Sequence, residues 1–187
     1  GFATKFDNNM GFKNYVDTLL DTPMIFINRE DKCVSVNGRM TFKQYMKEGF
    51  EGFTPTIEDW NLHSNLYFPE VRLRNFIEIR NHDCVGGGLE YSIPALYKGI
   101  MYSKSAMEET EEILNKFTAN EIRELRYNVA RSAIHSKIGK TPILSICKEL
   151  AEISYYTLKT QGDGEEMFLT PLMEMLKKGK CPAELVG

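Results

Sequence analysis

Glu70-Val71-Arg72-Leu73-Arg74-Asn75-Phe76-Ile77-Glu78-Ile79-Arg80 changes character at almost every step. Odd positions carry Val71, Leu73, Asn75, Ile77 and Ile79; even positions carry Glu70, Arg72, Arg74, Phe76, Glu78 and Arg80. Successive side chains of a strand point to opposite faces, so the run reads as one strand with an apolar face and a charged face. Glu78 and Arg80 then share a face, about 6.6 Å apart along the strand. A carboxylate beside a guanidinium suits a metal–nucleotide site, the first ligating Mg2+ and the second holding the phosphate oxygens that the metal bridges. Phosphoryl transfer uses both, because charge spreads over those oxygens in the transition state. Ion pairs on a solvated sheet face would leave the same pattern, and the pattern alone favours them.

On the N-terminal side, residues up to Asn9 are polar and read as loosely held. From Met10, the spacing of Phe12, Tyr15, Val16, Leu19 and Leu20 predicts a helix that Pro23 stops. Met24–Ile27 and Cys33–Val36 read as two strands around a turn at Asn28–Lys32. Thr41 with Gln44 is a capping-box pattern, and a helix carrying Trp60, His63 and Leu66 follows the loop 49–55. On the C-terminal side, Gly86-Gly87-Gly88 opens a helical region, with helices expected at about 89–102, 104–117, 119–133, 142–160 and 165–178. Ser105 with Glu108 and Thr118 with Glu121 are further capping boxes, and Thr141-Pro142 reads as a cap with proline at the first helical position. A few antiparallel strands followed by a helical layer make the fold class α+β. Two or three strands form a poor sheet alone, so further strands are expected to complete it.

The 187 residues suit one domain or part of a larger one. With 42% hydrophobic and 26% charged residues, a core needs neither disulfides nor a structural metal. A net charge of −3 gives no basic footprint for nucleic acid, so phosphates would be gripped by local arginines. Cys33, Cys84, Cys147 and Cys181 form no C-x-x-C pair, which points to a reducing, cytoplasmic setting. No apolar run has the length of a membrane helix, and no charged-then-apolar leader opens the chain. The chain starts at Gly1 without a methionine, which suggests that the native N-terminus lies elsewhere.

The remaining motifs read mostly as structure. The Gly86–Gly88 run lacks both a following Lys-Ser/Thr pair and G-x-G-x-x-G spacing, and reads as a flexible strand-to-helix loop. His63, one turn after Trp60, reads as a packed histidine. The acidic run Glu108–Glu112 reads as a solvated helix face.

A wider pattern surrounds the alternating run. Trp60-x-x-His63, then Phe68-Pro69-Glu70-Val71-Arg72-Leu73-Arg74, then Phe76-Ile77-Glu78-Ile79-Arg80-Asn81-His82-Asp83 closely resembles glutamate–cysteine ligases of the plant and proteobacterial type. Gly11-Phe12-x-x-Tyr15-Val16, Pro23-Met24-x-Phe26, Gly38-x-Met40-Thr41-Phe42, Pro94-Ala95 and Gly179-x-x-Pro182-Ala183-Glu184 match in the same order, so the likeness spans nearly the whole chain. The resemblance implies the C-terminal portion of a glutamine-synthetase-like catalytic domain, residues 1–187 being one part of it. It implies ATP and Mg2+ as cofactors, glutamate and cysteine as substrates, and a γ-glutamyl phosphate that the cysteine amine attacks, the first step of glutathione biosynthesis. Glu78 would be a metal ligand and Arg80 catalytic, touching the transferring phosphate; Arg72 would join Arg80 on the nucleotide or serve the sheet. Met24 and Phe26 would lie near the amino-acid pocket, where Ile25 replaces a common tyrosine and opens the question of another amine acceptor. The family's N-terminal half, with further metal carboxylates, is the expected partner; without it the chain should be inactive, and apolar edges left uncovered should favour self-association. A binding module that kept the fold and lost turnover is the rival. The positions matching the plant regulatory cysteines are Val36, a residue near Glu51, and Tyr91, which implies no such redox switch.

Overall fold

The computed structural model describes residues 11–29 and 32–185. The polar stretch up to Asn9, the helix start at Met10, and Glu30 and Asp31 within the expected turn lie outside them. The chain divides between Asn81 and His82 into two compact units.

The first unit contains α1 (Phe12–Leu20), β1 (Phe26–Arg29), β2 (Lys32–Ser35), α2 (Phe42–Glu48), α3 (Ile57–Asn65), β3 (Val71–Leu73) and β4 (Ile77–Ile79). β1 and β2 pair antiparallel, with Ile27 opposite Val34. Met24, Ile27, Val36, Phe42 and Tyr45 form its core, each at most 3% exposed. Thr41 and Gln44 cap α2 reciprocally, as their spacing suggested. Thr56 and Asp59 do the same for α3; with aspartate at the third position, that box falls outside the Glu/Gln template.

His63 is a packed histidine. It is 4% exposed, stacks on Phe42 and donates through Nε2 to the Leu19 carbonyl at 2.8 Å. Burial lowers its pKa, against a smaller opposite effect of the Leu19 bond, so the folded state keeps the ring neutral. Below about pH 6.5 the unfolded chain takes up a proton that the folded chain refuses. Stability should therefore fall as pH drops from 6.5 towards the lower folded pKa. Urea midpoints at pH 7.5 and 5.5, with His63→Phe flattening the difference, check this.

The run 70–80 is a hairpin, where the sequence pattern predicted one strand. β3 and β4 pair antiparallel, with Val71 opposite Ile79, Arg72 opposite Glu78 and Leu73 opposite Ile77. The reversal centres on Asn75, a turn former that strands disfavour, and the Arg74 N–H donates to the Phe76 carbonyl at 2.8 Å. Each residue meets one of the same parity, so alternation survives the reversal and conceals it. The faces are also inverted with respect to solvent. Val71 is 46% and Ile77 67% exposed, whereas Arg72 is 7% exposed.

The Tyr15 hydroxyl ties α1 to this hairpin, accepting from the Leu73 N–H at 3.2 Å. Tyr15→Phe should cost about 1 kcal/mol and loosen the hairpin, read as faster amide exchange at Leu73.

The second unit contains α4 (Leu89–Met101), α5 (Lys104–Leu114), α6 (Ala119–Ser132), β5 (Lys137–Ile138), β6 (Thr141–Pro142), α7 (Ile143–Gln161) and α8 (Thr170–Lys178). Ser103 caps α5, accepting from the Ala106 N–H, which corrects the expected Ser105 cap; the helix begins one residue after Ser103. Thr118 and Glu121 cap α6 reciprocally, as their spacing suggested. Thr141 and Pro142 belong to a two-residue strand paired with β5, so α7 starts at Ile143, later than expected. α4 and α7 pack through small residues, where Ser154 Oγ donates to the Ala95 carbonyl at 3.1 Å. Among the described residues the strands form three separate two-stranded sheets, and the fold class is α+β. No helix among them is long and apolar enough to cross a membrane.

Candidate anion-binding site

Arg72 and Glu78 face each other across the β3–β4 hairpin, and Arg80 lies two residues beyond Glu78. Pairing register and strand pleat therefore bring all three side chains to one face. Arg72 Nε donates to Glu78 Oε2 at 2.6 Å, and Arg80 Nη1 donates to Oε1 at 2.8 Å. The Arg80 N–H also donates to the Glu70 carbonyl at 2.7 Å, which extends the ladder and fixes the base of its side chain.

Arg72 is anchored a second time. Its Nη1 donates to the main-chain carbonyl of Asn65, the last residue of α3, at 3.0 Å. Carbonyls of a helix's last turn lack intrahelical partners and carry partial negative charge, so a cation there is favourable. Arg74 donates to the Asn65 side chain. The ring of Phe68 lies 5.4 Å from the Arg72 guanidinium carbon and 5.1 Å from that of Arg80.

The Arg72 hydrogen bond holds the Glu78 carboxyl below its ordinary value, with Arg80 adding to it and partial desolvation opposing both. The carboxylate is therefore ionised at neutral pH. Two guanidiniums against one carboxylate leave a net positive face of fixed N–H donors, the arrangement that binds phosphate or carboxylate oxygens. For Mg2+ the fit is limited to one ligand position. Both oxygens of Glu78 already accept guanidinium bonds, and the described residues hold no group of three or more His, Cys, Asp and Glu suited to a metal.

The structure thus brings together three of the residues singled out in the sequence. It places the other two elsewhere in the first unit. Met24 is 1% exposed within the core, and Phe26 is half-buried on β1; among the described contacts neither touches Arg72, Glu78 or Arg80. Sequence reasoning passed over Phe68 and Asn65. Their signal was present in the adjacency of an aromatic to Pro69 and of a helix end to an arginine-rich strand, but neither marks a site without the tertiary contact.

Two other features compete poorly for an anion. A cavity of about 740 Å³ in the second unit is lined by Glu109, Glu112, Glu149 and Glu152 against Lys116, so its field repels phosphate. At the Gly86–Gly88 loop, the Gly88 N–H already donates to Glu90 Oε2 at 2.9 Å. Gly88 has a φ of 92°, and a Cβ there would lie 3.2 Å from Pro171 Cγ, so backbone conformation and packing account for that glycine.

The family model described as glutamate-cysteine ligase family 2 matches residues 1–186. The chloroplastic glutamate–cysteine ligase of Solanum lycopersicum is 31% identical over 182 residues, covering 96% of this chain and 35% of that protein. Those of Nicotiana tabacum and Medicago truncatula are each 30% identical over the same length, with 35% and 36% of the relative covered. The chain spans about a third of the length of the curated relatives it matches. With a match running from end to end, and with the Arg72–Glu78–Arg80 hairpin inside it, the chain belongs to glutamate-cysteine ligase family 2.

Proposed function

We propose that this chain forms the C-terminal part of an ATP-dependent glutamate–cysteine ligase with a glutamine-synthetase-like catalytic domain, and that its β3–β4 hairpin receives the polyphosphate. The observation that carries this reading is the Arg72–Glu78–Arg80 face, where two fixed guanidiniums share one carboxylate. In the proposed reaction the γ-carboxylate of glutamate attacks the terminal phosphorus of ATP and ADP leaves. The cysteine amine then attacks the acyl phosphate, which releases phosphate and a proton. Arg80, on the more exposed side, touches the transferring group, and Arg72 holds the adjoining phosphate from its anchored position. Glu78 is put forward as one ligand of Mg2+, which when bound would neutralise phosphate charge; further carboxylates would come from the rest of the longer polypeptide. That same portion is the proposed cover for Val71, Phe76 and Ile77, and without it this chain should not turn over.

Phe26 and Met24 remain the proposed amino-acid contacts, with buried Met24 shaping the wall from within the core. Ile25 is 48% exposed, which favours a second reading in which another amine replaces cysteine. A reducing compartment suits the four free cysteines, and the cytoplasm is one such setting; the relatives carry the chloroplast in their names.

The test is ADP release by the full-length protein with ATP, glutamate and a panel of amines that includes cysteine. Glu78→Gln should lower the rate about a hundredfold, the scale for loss of one electrostatic group at a reacting centre. Unchanged turnover in Glu78→Gln would favour the rival binding module.

A further inference from the structure

Phe68 is 61% exposed, like several other aromatic rings of the chain, and is set apart by lying against two guanidiniums. The proline after it presets its backbone. Pro69 is buried, and the residue before a proline is held to extended conformations, so Phe68 is presented outward from a fixed point. The ring lies against both guanidiniums of the hairpin, at 5.4 Å from Arg72 and 5.1 Å from Arg80.

We propose that Phe68 is a positioning residue that holds Arg72 and Arg80 as a pair while a polyphosphate occupies them. This deepens the ligase reading and rests on it for the identity of the ligand. Two like charges side by side repel, and in the structure Glu78 offsets that repulsion by accepting from both. An anion that takes the same in-plane N–H donors competes with Glu78 for them. Aromatic contact uses the charge distribution above the ring and consumes no N–H donor, so it persists when the carboxylate is drawn off. Phe68 thus keeps the two guanidiniums together when Glu78 no longer does.

The test compares Phe68→Leu, which keeps apolar bulk and removes the ring, with Phe68→Tyr, which keeps the ring. In the full-length protein two quantities are measured: the Kd for inorganic tripolyphosphate without metal, and KM and kcat with ATP. Phe68→Leu should weaken tripolyphosphate about tenfold and raise the KM for ATP by a similar factor, with kcat changed less than about threefold. Phe68→Tyr should restore both, and the thermal midpoint should hold in each variant. Wild-type tripolyphosphate affinity in Phe68→Leu overturns the proposal. So does equal weakening in both variants, or a fall in midpoint that parallels the loss of affinity. The tripolyphosphate arm needs no turnover. If the wild type binds it but forms no ADP with any amine, the ligase reading fails while Phe68 is still judged.

Discussion

Asp59→Ala is expected to destabilise the first unit by about 3–5 kcal/mol, the scale for removing one partner of a buried ion pair. Asp59 is 2% exposed, and its two oxygens accept from Arg29 Nη1 at 2.6 Å and Nη2 at 2.7 Å. Tyr45 donates to the same carboxylate at 3.1 Å, and the Thr56 N–H at 2.9 Å. One side chain therefore joins β1, α2 and the start of α3. Alanine would leave Arg29 without its carboxylate and would uncap α3 as well. The loss reaches the candidate site, because the far end of α3 supplies the Asn65 carbonyl that anchors Arg72. Trp60 is the single tryptophan and lies beside Asp59, so its fluorescence in a urea titration reports this unit. The paired change Arg29→Met with Asp59→Leu should recover most of the loss, since apolar replacement of a whole buried pair is close to neutral.

The same carboxylate sets a pH dependence. Burial pushes the Asp59 pKa up, but the Arg29 bonds, the Thr56 N–H, the Arg29 charge and Tyr45 together outweigh it, and the net shift is downward. A depressed folded value means that the contribution is complete above the unfolded pKa, about 3.9, and is lost as pH falls through the lower folded value. Acid unfolding of the first unit should thus begin below about pH 4, on top of the shallower loss that His63 causes below about pH 6.5. Asp59→Ala should shrink the acid limb to the share that Glu78 contributes and leave the histidine limb in place.

Gly99→Ala should cost the second unit about 3 kcal/mol or more, at the upper end for overpacking. An added Cβ would fall 2.1 Å from Ser154 Oγ, 2.6 Å from the Ser154 carbonyl oxygen and 2.8 Å from Ser154 Cα. Alanine's helix propensity returns about 1 kcal/mol, too little to reverse the sign. Two of the three clashing atoms are backbone, so trimming the hydroxyl cannot relieve them. Gly99→Ala with Ser154→Ala should therefore remain destabilised, and the double variant separates a helix-spacing limit from a side-chain clash. Helical circular dichroism follows this unit, which contains no tryptophan. Wild-type midpoints in Gly99→Ala would show that α4 and α7 can move apart freely.

Local signals in the chain were enough for much of the architecture. Helical spacing and the reciprocal caps at Thr41 and Thr118 placed α2 and α6, because a cap is decided by residues three apart. Alternation placed Arg72, Glu78 and Arg80 on a common face, and the α+β class came from the order of elements. What local signals could not decide was which way that face looked and where the chain reversed. A turn at Asn75 keeps parity unchanged, so one strand and a hairpin read alike until pairing is seen. Ser103 against Ser105 was equally undecidable, since both offer a hydroxyl and only the helix's true first residue selects between them.

Motifs spread along nearly the whole chain determined the family, and the order of residues 68–80 determined the type of charge on the hairpin, its spacing, and the aromatic and proline that precede it. Tertiary structure alone decided that Arg72 is sunk onto the end of α3, that Glu78 is shared between two guanidiniums, and that Phe68 stands over both. The physical reason is range. Periodicity and capping depend on neighbours within one turn or one pleat, whereas burial, charge sharing and aromatic contact depend on segments that meet only once the chain has folded.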